Sequence, residues 1–129
     1  MRVYVAGAIT PTGDKNHAIE YLTNVRKGIR ASVELLLAGF YPFCPFIDYA
    51  YWFVLEGDEK ISIKLIKELS MAWLEASEAV YVLPGYENSE GTIDEIKRAK
   101  ELGIPVFYDI EQLKKYERLT FASDFFLVP

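Results

Sequence analysis

Residues 79–103 have the sequence AVYVLPGYENSEGTIDEIKRAKELG, and this stretch decides the fold. The apolar run Val80–Leu83 contains β-branched and aromatic residues, which predicts a buried strand. From Thr92 to Leu102 the apolar residues recur with helical spacing, and Gly103 ends the pattern. A polar loop joins the strand to the helix. In an open α/β sheet, ligands bind at such junctions, where a strand ends and a helix begins.

The acidic residue Glu95 has two interpretations. Thr92 and Glu95 have the spacing of a capping box, in which each side chain bonds the backbone N–H of the other residue. An acidic side chain in the first turn also suits the helix dipole. The alternative is a carboxylate that faces a ligand in the loop. This stretch alone leaves both interpretations open.

Strands and helices alternate along the rest of the chain, which predicts a parallel sheet with connecting helices. The fold class is therefore α/β, a small Rossmann/flavodoxin-like parallel sheet with helices on both faces. At 129 residues the chain is expected to form one domain over residues 1–129. The other predicted elements are strands at Val3–Ala6, Phe40–Phe43 and Ile104–Tyr108, and helices at Ile19–Leu37, Ser62–Ala76 and Ile110–Tyr116.

Apolar periodicity assigns a face to each helix. In the first helix Arg26, Lys27 and Arg30 are expected on the solvated side, and Gly39 ends the helix. The apolar stripes are Ile19, Leu22, Val25, Ile29, Val33, Leu36 and Leu37 in the first helix, Ile66, Leu69, Trp73 and Ala76 in the second, and Ile93, Ile96, Ala99 and Leu102 in the third.

Parallel topology brings three loops to one edge of the sheet, at residues 7–13, 43–52 and 85–92. The first contains small residues that let a backbone approach a ligand closely. It lacks the full G-x-G-x-x-G pattern, so no dinucleotide site is predicted. The convergence places small residues, aromatic residues and a carboxylate in one crevice.

Residues 40–53 are exceptionally aromatic. Such a stretch either lines a pocket for a flat ring or forms an oligomer interface, and the two are compatible. The tail Leu119–Pro129 is unusually apolar and is expected to dock on its own domain or on a neighbouring subunit.

Composition excludes several classes of protein. The net charge of −5 and the absence of a basic run disfavour a nucleic-acid polymer as partner. Cys44 and His17 are the only cysteine and histidine, so neither a Cys/His metal cluster nor a Ser-His-Asp triad is expected. No apolar run is long enough to span a membrane, and no signal-peptide pattern follows Met1, so a cytoplasmic protein without membrane contact is expected.

Several motifs occur in a fixed order along the chain: Tyr4-x-x-Gly7-x-Ile9, Trp73 before a strand, Ser89-x-Gly91-x-x-x-Glu95, Ala99 and Gly103-x-Pro105-Val106. This ordered set resembles the nucleoside 2-deoxyribosyltransferase superfamily, and the resemblance covers most of residues 2–108. Within the superfamily, the chain looks closer to the nucleoside 5′-monophosphate N-glycosidases.

The resemblance implies cleavage of an N-glycosidic bond in a nucleoside or its 5′-monophosphate. Glu95 would attack C1′ of the sugar and form a covalent intermediate, which water or a second base resolves. Tyr4 would touch the catalytic carboxylate, and Ser89 would bond the 5′-phosphate with help from the N–H groups of Gly91 and Thr92. No metal or organic cofactor is required. The family site is shared between subunits, so a homodimer or higher homo-oligomer is expected.

The sequence departs from the family pattern in two places. Ser70 stands where an aspartate usually helps position the sugar or the base, and Asp48 or Asp94 is a candidate replacement. The first loop has Ala8 and Thr10 in place of serine and arginine.

The expected substrate contacts are Gly7, Ile9, Asp48, Ser70, Ser89, Gly91 and Thr92, with Phe46–Trp52 stacking the base. Two other hypotheses are a nucleotide-binding module without catalysis and an assembly protein whose aromatic stretch is only an interface.

Overall fold

The computed structural model describes residues 1–9 and 17–127, with side chains to residue 120. Thr10, the rest of the first loop to Gly13, and the end of the apolar tail lie outside the described residues. The elements are β1 (Arg2–Ala6), α1 (His17–Leu37), β2 (Tyr41–Phe43), α2 (Ile63–Glu75), β3 (Ala79–Val82), α3 (Glu90–Glu101), β4 (Val106–Phe107) and α4 (Ile110–Leu127), with 3-10 helices at Pro45–Val54 and Tyr86–Asn88.

The sheet has four strands in the order β2-β1-β3-β4, and all neighbouring pairs are parallel. Val3 pairs with Ala79 and Ala6 with Val82, so β1 and β3 end together. The predicted α/β class is confirmed. The last strand is shorter than Ile104–Tyr108, and α4 continues well past the predicted end at Tyr116.

Alternate residues of the strands build one apolar core on each face of the sheet, as the period of two requires. Side chains from α1 and α4 cover one face, and side chains from α2 and α3 cover the other. The first core contains Val3, Val5, Ala31, Leu35, Phe40, Phe46, Ala79, Leu83 and Leu113, and the second contains Tyr4, Ala6, Leu74, Val80, Val82, Ile96 and Ala99.

The apolar stripe of α1 faces away from the core, which corrects the amphipathic assignment. Its buried residues are Gly28, Ala31 and Leu35. A Cβ atom at Gly28 would lie 2.6 Å from Cγ of Phe46, so α1 turns its small residues inward to receive this ring. Four residues of the predicted stripe are more than half exposed: Ile19, Leu22, Leu36 and Leu37.

In α2 the inward residues are Ile66 and Leu74. Trp73 is 49% exposed and Ala76 is the exposed C-cap, so both were wrongly assigned to the inward stripe. Trp73 instead stacks on Phe43 of β2, with ring centroids 5.0 Å apart.

Candidate active site

A cavity of about 500 Å³ lies at the carboxyl ends of β1 and β3. Strand β2 lies on one side of β1 and strand β3 lies on the other, so the chain connections diverge at β1. The cavity therefore lies at the topological switch point of the sheet. The volume is in the range of small-molecule sites. Of the predicted site residues, all except Asp48 line it: Tyr4, Gly7, Ile9, Ser70, Ser89, Gly91, Thr92 and Glu95.

Helix α3 begins differently from the sequence-based interpretation. Ser89 is the N-cap, and its Oγ accepts a hydrogen bond from the backbone N–H of Thr92 at 3.3 Å. The hydroxyl groups of Ser89 and Thr92 lie 2.9 Å apart. The capping box between Thr92 and Glu95 is therefore wrong, because the helix starts three residues earlier. Glu95 therefore does not cap the helix, and its carboxyl group is available to contact a ligand.

The buried face of α3 also differs from the predicted stripe. Thr92, Ile96 and Ala99 are buried, whereas Ile93 and Leu102 are 45% and 43% exposed. Residues at this spacing share one side of a helix with Glu95. The helix thus presents its glutamate to the sheet and the cavity rather than to solvent.

The carboxyl group of Glu95 is strongly perturbed. Burial raises the pKa of Glu95 from 4.5 to about 7, the nearby Tyr4 hydroxyl lowers it in part, and the Asp94 charge raises it. A carboxyl group with a pKa near neutrality in a cleft is typical of functional sites.

Tyr4 comes from the centre of β1 and is fully buried. Its ring stacks on Phe43 with centroids 6.0 Å apart, and Phe43 in turn stacks on Trp73. Burial and the negative charge of Glu95 raise the pKa of Tyr4 well above its usual range, so the phenol keeps its proton. The residue can therefore donate a hydrogen bond to a carboxylate.

Among residues 1–9 and 17–127, three buried side-chain oxygens lack a partner at full hydrogen-bond geometry: Tyr4 Oη, Asp48 Oδ2 and Glu95 Oε2. Buried polar atoms are normally satisfied, so a cluster of exceptions requires an explanation. Catalytic hydrogen bonds are commonly long before a substrate binds. Ser70 lines the same part of the cavity, and its hydroxyl lowers the pKa of both Tyr4 and Asp48.

Asp48 does not line the cavity, which corrects its predicted place in the substrate site. Only 4% of it is exposed. Burial raises the pKa of Asp48. Asp94, the other candidate replacement, does line the cavity.

The two glycines among the predicted site residues, Gly7 and Gly91, differ in function. A Cβ atom at Gly7 would lie 2.9 Å from Cζ of Phe46 and 3.1 Å from Cβ of Leu83, so Gly7 is required by packing inside the protein. A Cβ atom at Gly91 would meet nothing within 4 Å. Gly91 therefore leaves open space at the cavity wall, where a ligand can approach the backbone.

The backbone donors at the start of α3 differ from the expected pair, Gly91 and Thr92. The N–H of Thr92 donates to Ser89, and Thr92 is only 1% exposed. This geometry disfavours the predicted direct contact between Thr92 and a substrate. The N–H groups of Glu90 and Gly91 are at the first helical positions, which have no intrahelical acceptor. Both residues line the cavity.

The aromatic segment divides between core and surface. Phe46 is 1% exposed and lies against Gly7 and Gly28, so it forms the floor rather than a free stacking surface. Tyr49 is the other aromatic residue of Phe46–Trp52 at the cavity. The indole N–H of Trp52 donates to the carbonyl of Ile61 at 2.9 Å, away from the site.

Several lining residues were missed by the sequence analysis. Asn24 lines the cavity and donates to the carbonyl of Ile9 at 3.0 Å, which anchors the first part of the loop after β1. Lys27 and Lys67 also line the cavity, and Lys27 is exposed, as its prediction on a solvated face requires. The helical spacing of Glu20, Asn24 and Lys27 on one side of α1 was the signal that could have identified them.

Within the part of the chain that the structure describes, no group of His, Cys, Asp or Glu side chains is arranged to hold a metal ion. In the same part, no helix combines the length and the apolarity needed to cross a bilayer.

The comparisons with known proteins agree with this architecture. Residues 52–108 match the family model described as a domain of unknown function, DUF4406. A solved structure of a 2-deoxyribosyltransferase from the psychrotolerant bacterium Bacillus psychrosaccharolyticus is similar, with a TM-score of 0.50 and 18% identity over 82% of this chain and 69% of that one. No curated protein sequence matches. At 18% identity, the similarity to the solved structure shows a shared fold.

Proposed function

We propose that this protein cleaves the N-glycosidic bond of a nucleoside or its 5′-monophosphate, with Glu95 as nucleophile. The observation that carries the proposal is a buried carboxyl group beside the Tyr4 hydroxyl, at the cavity beyond the carboxyl ends of β1 and β3. The fold is that of a solved 2-deoxyribosyltransferase, which is consistent with this chemistry.

In the first step a carboxylate oxygen of Glu95 attacks C1′ of the sugar. The new C–O bond forms while the C1′–N bond breaks, and the electron pair of that bond leaves with the base. The transition state has oxocarbenium character, which a buried carboxylate stabilises electrostatically. Tyr4 holds the attacking carboxylate by hydrogen bonding and keeps its own proton, since its pKa is raised.

In the second step the glycosyl ester is resolved. Water attacks C1′ in a hydrolase, and a nitrogen of a second base attacks it in a transferase; the proton that the attacking molecule loses balances the one that the departed base takes up. In both cases the C1′–O bond to Glu95 breaks and the carboxylate is regenerated. Attack on alternate faces of C1′ in the two steps gives overall retention of configuration.

The sugar and its 5′ end belong at the start of α3. Ser89 and Gly91 line this end of the cavity, and Gly91 leaves space for close approach. The N–H groups at the beginning of a helix favour a phosphate or hydroxyl group there. Tyr49 provides an aromatic wall for the base.

The proposal is tested by incubating the protein with ribo- and deoxyribonucleosides and their 5′-monophosphates, and by measuring free base chromatographically. We expect base release by the wild type and none by Glu95→Gln. Glu87→Gln, which changes an exposed glutamate before α3, is the matched control and should retain activity. Addition of a second free base separates transfer from hydrolysis.

Base release that survives in Glu95→Gln would refute the proposal. Nucleotide binding without base release, measured by calorimetry on the wild type, would instead favour the non-catalytic binding module. Neither binding nor release in a folded protein would favour the assembly protein.

We also propose that the chain forms a homo-oligomer. Large apolar side chains outside the core support this, most clearly Leu37, Phe53 and Val54, which are 82%, 80% and 72% exposed. Such surfaces are commonly covered by a protein partner. Light scattering at micromolar concentration should give at least twice the mass of the chain, and a monomer would contradict the proposal.

A further inference from the structure

Tyr49, which lines the cavity, is in direct contact with a tryptophan outside the cavity lining. Both residues lie on the 3-10 helix Pro45–Val54. Such a helix has three residues per turn, so side chains three positions apart lie above one another. Tyr49 and Trp52 have this spacing. Their ring centroids are 5.1 Å apart and the ring planes meet at 73°, which is a favourable edge-to-face contact.

Trp52 is itself held in place by the backbone. Its indole N–H donates to the carbonyl of Ile61 at 2.9 Å, in a partly buried contact. Ile61 directly precedes Ser62, which is the N-cap of α2. The same helix contributes Ile66 and Ser70 to the cavity wall. Trp52 therefore ties the 3-10 helix that carries Tyr49 to the beginning of another helix of the site.

A second ring contacts Tyr49 from α1. The ring of Tyr21 has its centroid 6.4 Å from that of Tyr49, and the two planes meet at 82°. Both contacts fall within the range of favourable edge-to-face pairs, and the contact with Trp52 is the closer. Two neighbouring rings at steep angles restrict the rotation of Tyr49. A wall that is fixed before the ligand arrives lowers the cost of binding.

A purely structural role for Trp52 predicts a different behaviour. A half-buried indole normally finds a hydrogen-bond acceptor, whatever its neighbours do. Loss of a structural tryptophan would weaken the protein whether or not Tyr49 is present. Loss of a tryptophan that acts through Tyr49 affects binding only while the Tyr49 ring is in place. The two roles therefore differ in the coupling between the two residues, which a double-mutant cycle measures.

We propose that Trp52 is a positioning residue, which fixes the ring of Tyr49 as the wall against which the base of the substrate packs. No substrate contact is required of Trp52. The inference rests on the proposed function, in which Tyr49 faces the base, and it adds a residue from outside the cavity lining.

The test measures binding by calorimetry in the full chain carrying Glu95→Gln, so that bound substrate is not consumed. The probes are deoxyribonucleosides and their 5′-monophosphates, and the tightest-binding probe is used for the comparison. Trp52→Leu should raise its Kd about three- to tenfold, which is the effect of one aromatic contact. Trp52→Phe retains a ring beside Tyr49 and should raise Kd at most about threefold.

The double-mutant cycle supplies the decisive comparison. Tyr49→Leu removes the wall and should raise Kd about tenfold or more, as loss of a ring stacked on a base does. Adding Trp52→Leu to Tyr49→Leu should then change Kd by less than about twofold. Tyr51→Leu is the matched control, because Tyr51 is an exposed aromatic residue of the same 3-10 helix outside the cavity lining. It should leave Kd unchanged.

Steady-state kinetics with Glu95 intact give a second readout. A wall that contacts the base equally in the ground state and the transition state affects binding rather than the chemical step. Trp52→Leu should therefore raise KM by the same factor as Kd and leave kcat within about twofold of wild type.

Two results would overturn the inference. One is a Kd that Trp52→Leu raises by the same factor with and without Tyr49. The other is a Trp52→Leu protein with unchanged Kd and a lower melting temperature, which a structural role predicts. If Trp52→Leu does not fold, the cycle is measured with Trp52→Phe.

Failure of the proposed function is distinguishable from failure of the inference. Probes that bind without base release by the protein with Glu95 intact would refute the proposed chemistry, and the cycle of Kd values would still decide the role of Trp52. Base release combined with independent effects of the two substitutions would refute the role of Trp52 alone. A folded protein that binds no probe would refute both.

Discussion

Replacing Glu95 by Gln should stabilise the protein at alkaline pH while abolishing its activity. Burial raises the pKa of this carboxyl group from 4.5 to about 7 in the folded state. A group whose folded pKa is raised favours folding less as pH increases, because the unfolded chain loses the proton first. The penalty grows between about pH 4.5 and pH 7 and is constant above that window.

The magnitude follows from the same pKa values. Each unit of difference between the pKa values in the folded and unfolded states corresponds to about 1.4 kcal/mol. Ionised Glu95 therefore lowers the free energy of unfolding by about 3 kcal/mol above pH 8. The neutral amide of Gln avoids this cost and fills nearly the same volume. At pH 5 most of the penalty has not yet developed, and the two proteins should differ by less than about 1 kcal/mol.

The assay is urea unfolding of wild type, Glu95→Gln and Glu87→Gln at pH 5 and pH 8.5. Glu87 is exposed, so its replacement should change stability by less than about 0.5 kcal/mol at both pH values. An equal difference between wild type and Glu95→Gln at the two pH values would refute the reasoning. So would a variant that is less stable than wild type at pH 8.5.

Four further predictions follow from the geometry of the site. The value of kcat/KM should rise with pH through about 7, because the attacking group is ionised Glu95. In a pH–rate profile, Asp94→Asn should move this rise to lower pH, because the neighbouring negative charge that raises the pKa of Glu95 is removed. Gly28→Ala should lower the free energy of unfolding by about 1–3 kcal/mol in urea titrations, since its Cβ would overlap Phe46. By contrast, Gly91→Ala should leave the free energy of unfolding unchanged or raise it by up to about 1 kcal/mol. The same variant should raise KM, because the new methyl group occupies space left for substrate.

The alternation of strands and helices was sufficient to predict the architecture. The carboxyl ends of parallel strands share one edge of a sheet, so the sequence could predict that the loops after β1 and β3 meet, and the cavity lies where they do. Tyr4 and Glu95 lie 91 residues apart in numbering, and the sheet register brings them to the same cavity as expected.

The faces of the helices could not be predicted in the same way. The exposed stripe of α1 is more apolar than its buried side, because the inward residues are kept small for the ring of Phe46. That requirement comes from a segment distant in sequence. Periodicity measures where apolar residues recur and contains no information on what packs against them.

The beginning of α3 was missed for a local reason. Ser89 and Thr92 are both good N-cap residues, and they are three positions apart. Only the folded structure shows which of the two residues caps the helix. Ser89 is the N-cap, so Glu95 has no capping role. The burial of Asp48 could not be predicted from the sequence either, because a single acidic residue among aromatic residues gives no periodic pattern.

The most direct test of the central claim is a search for a sugar covalently attached to Glu95. The protein would be mixed with a substrate identified in the base-release assay, quenched in acid within the first turnover, and analysed by intact-mass and peptide mass spectrometry. The account predicts an added mass equal to the glycosyl group, located on the peptide that contains Glu95 and absent from Glu95→Gln. Base release by wild type without such an adduct at any quench time, or an adduct on a different residue, would contradict it.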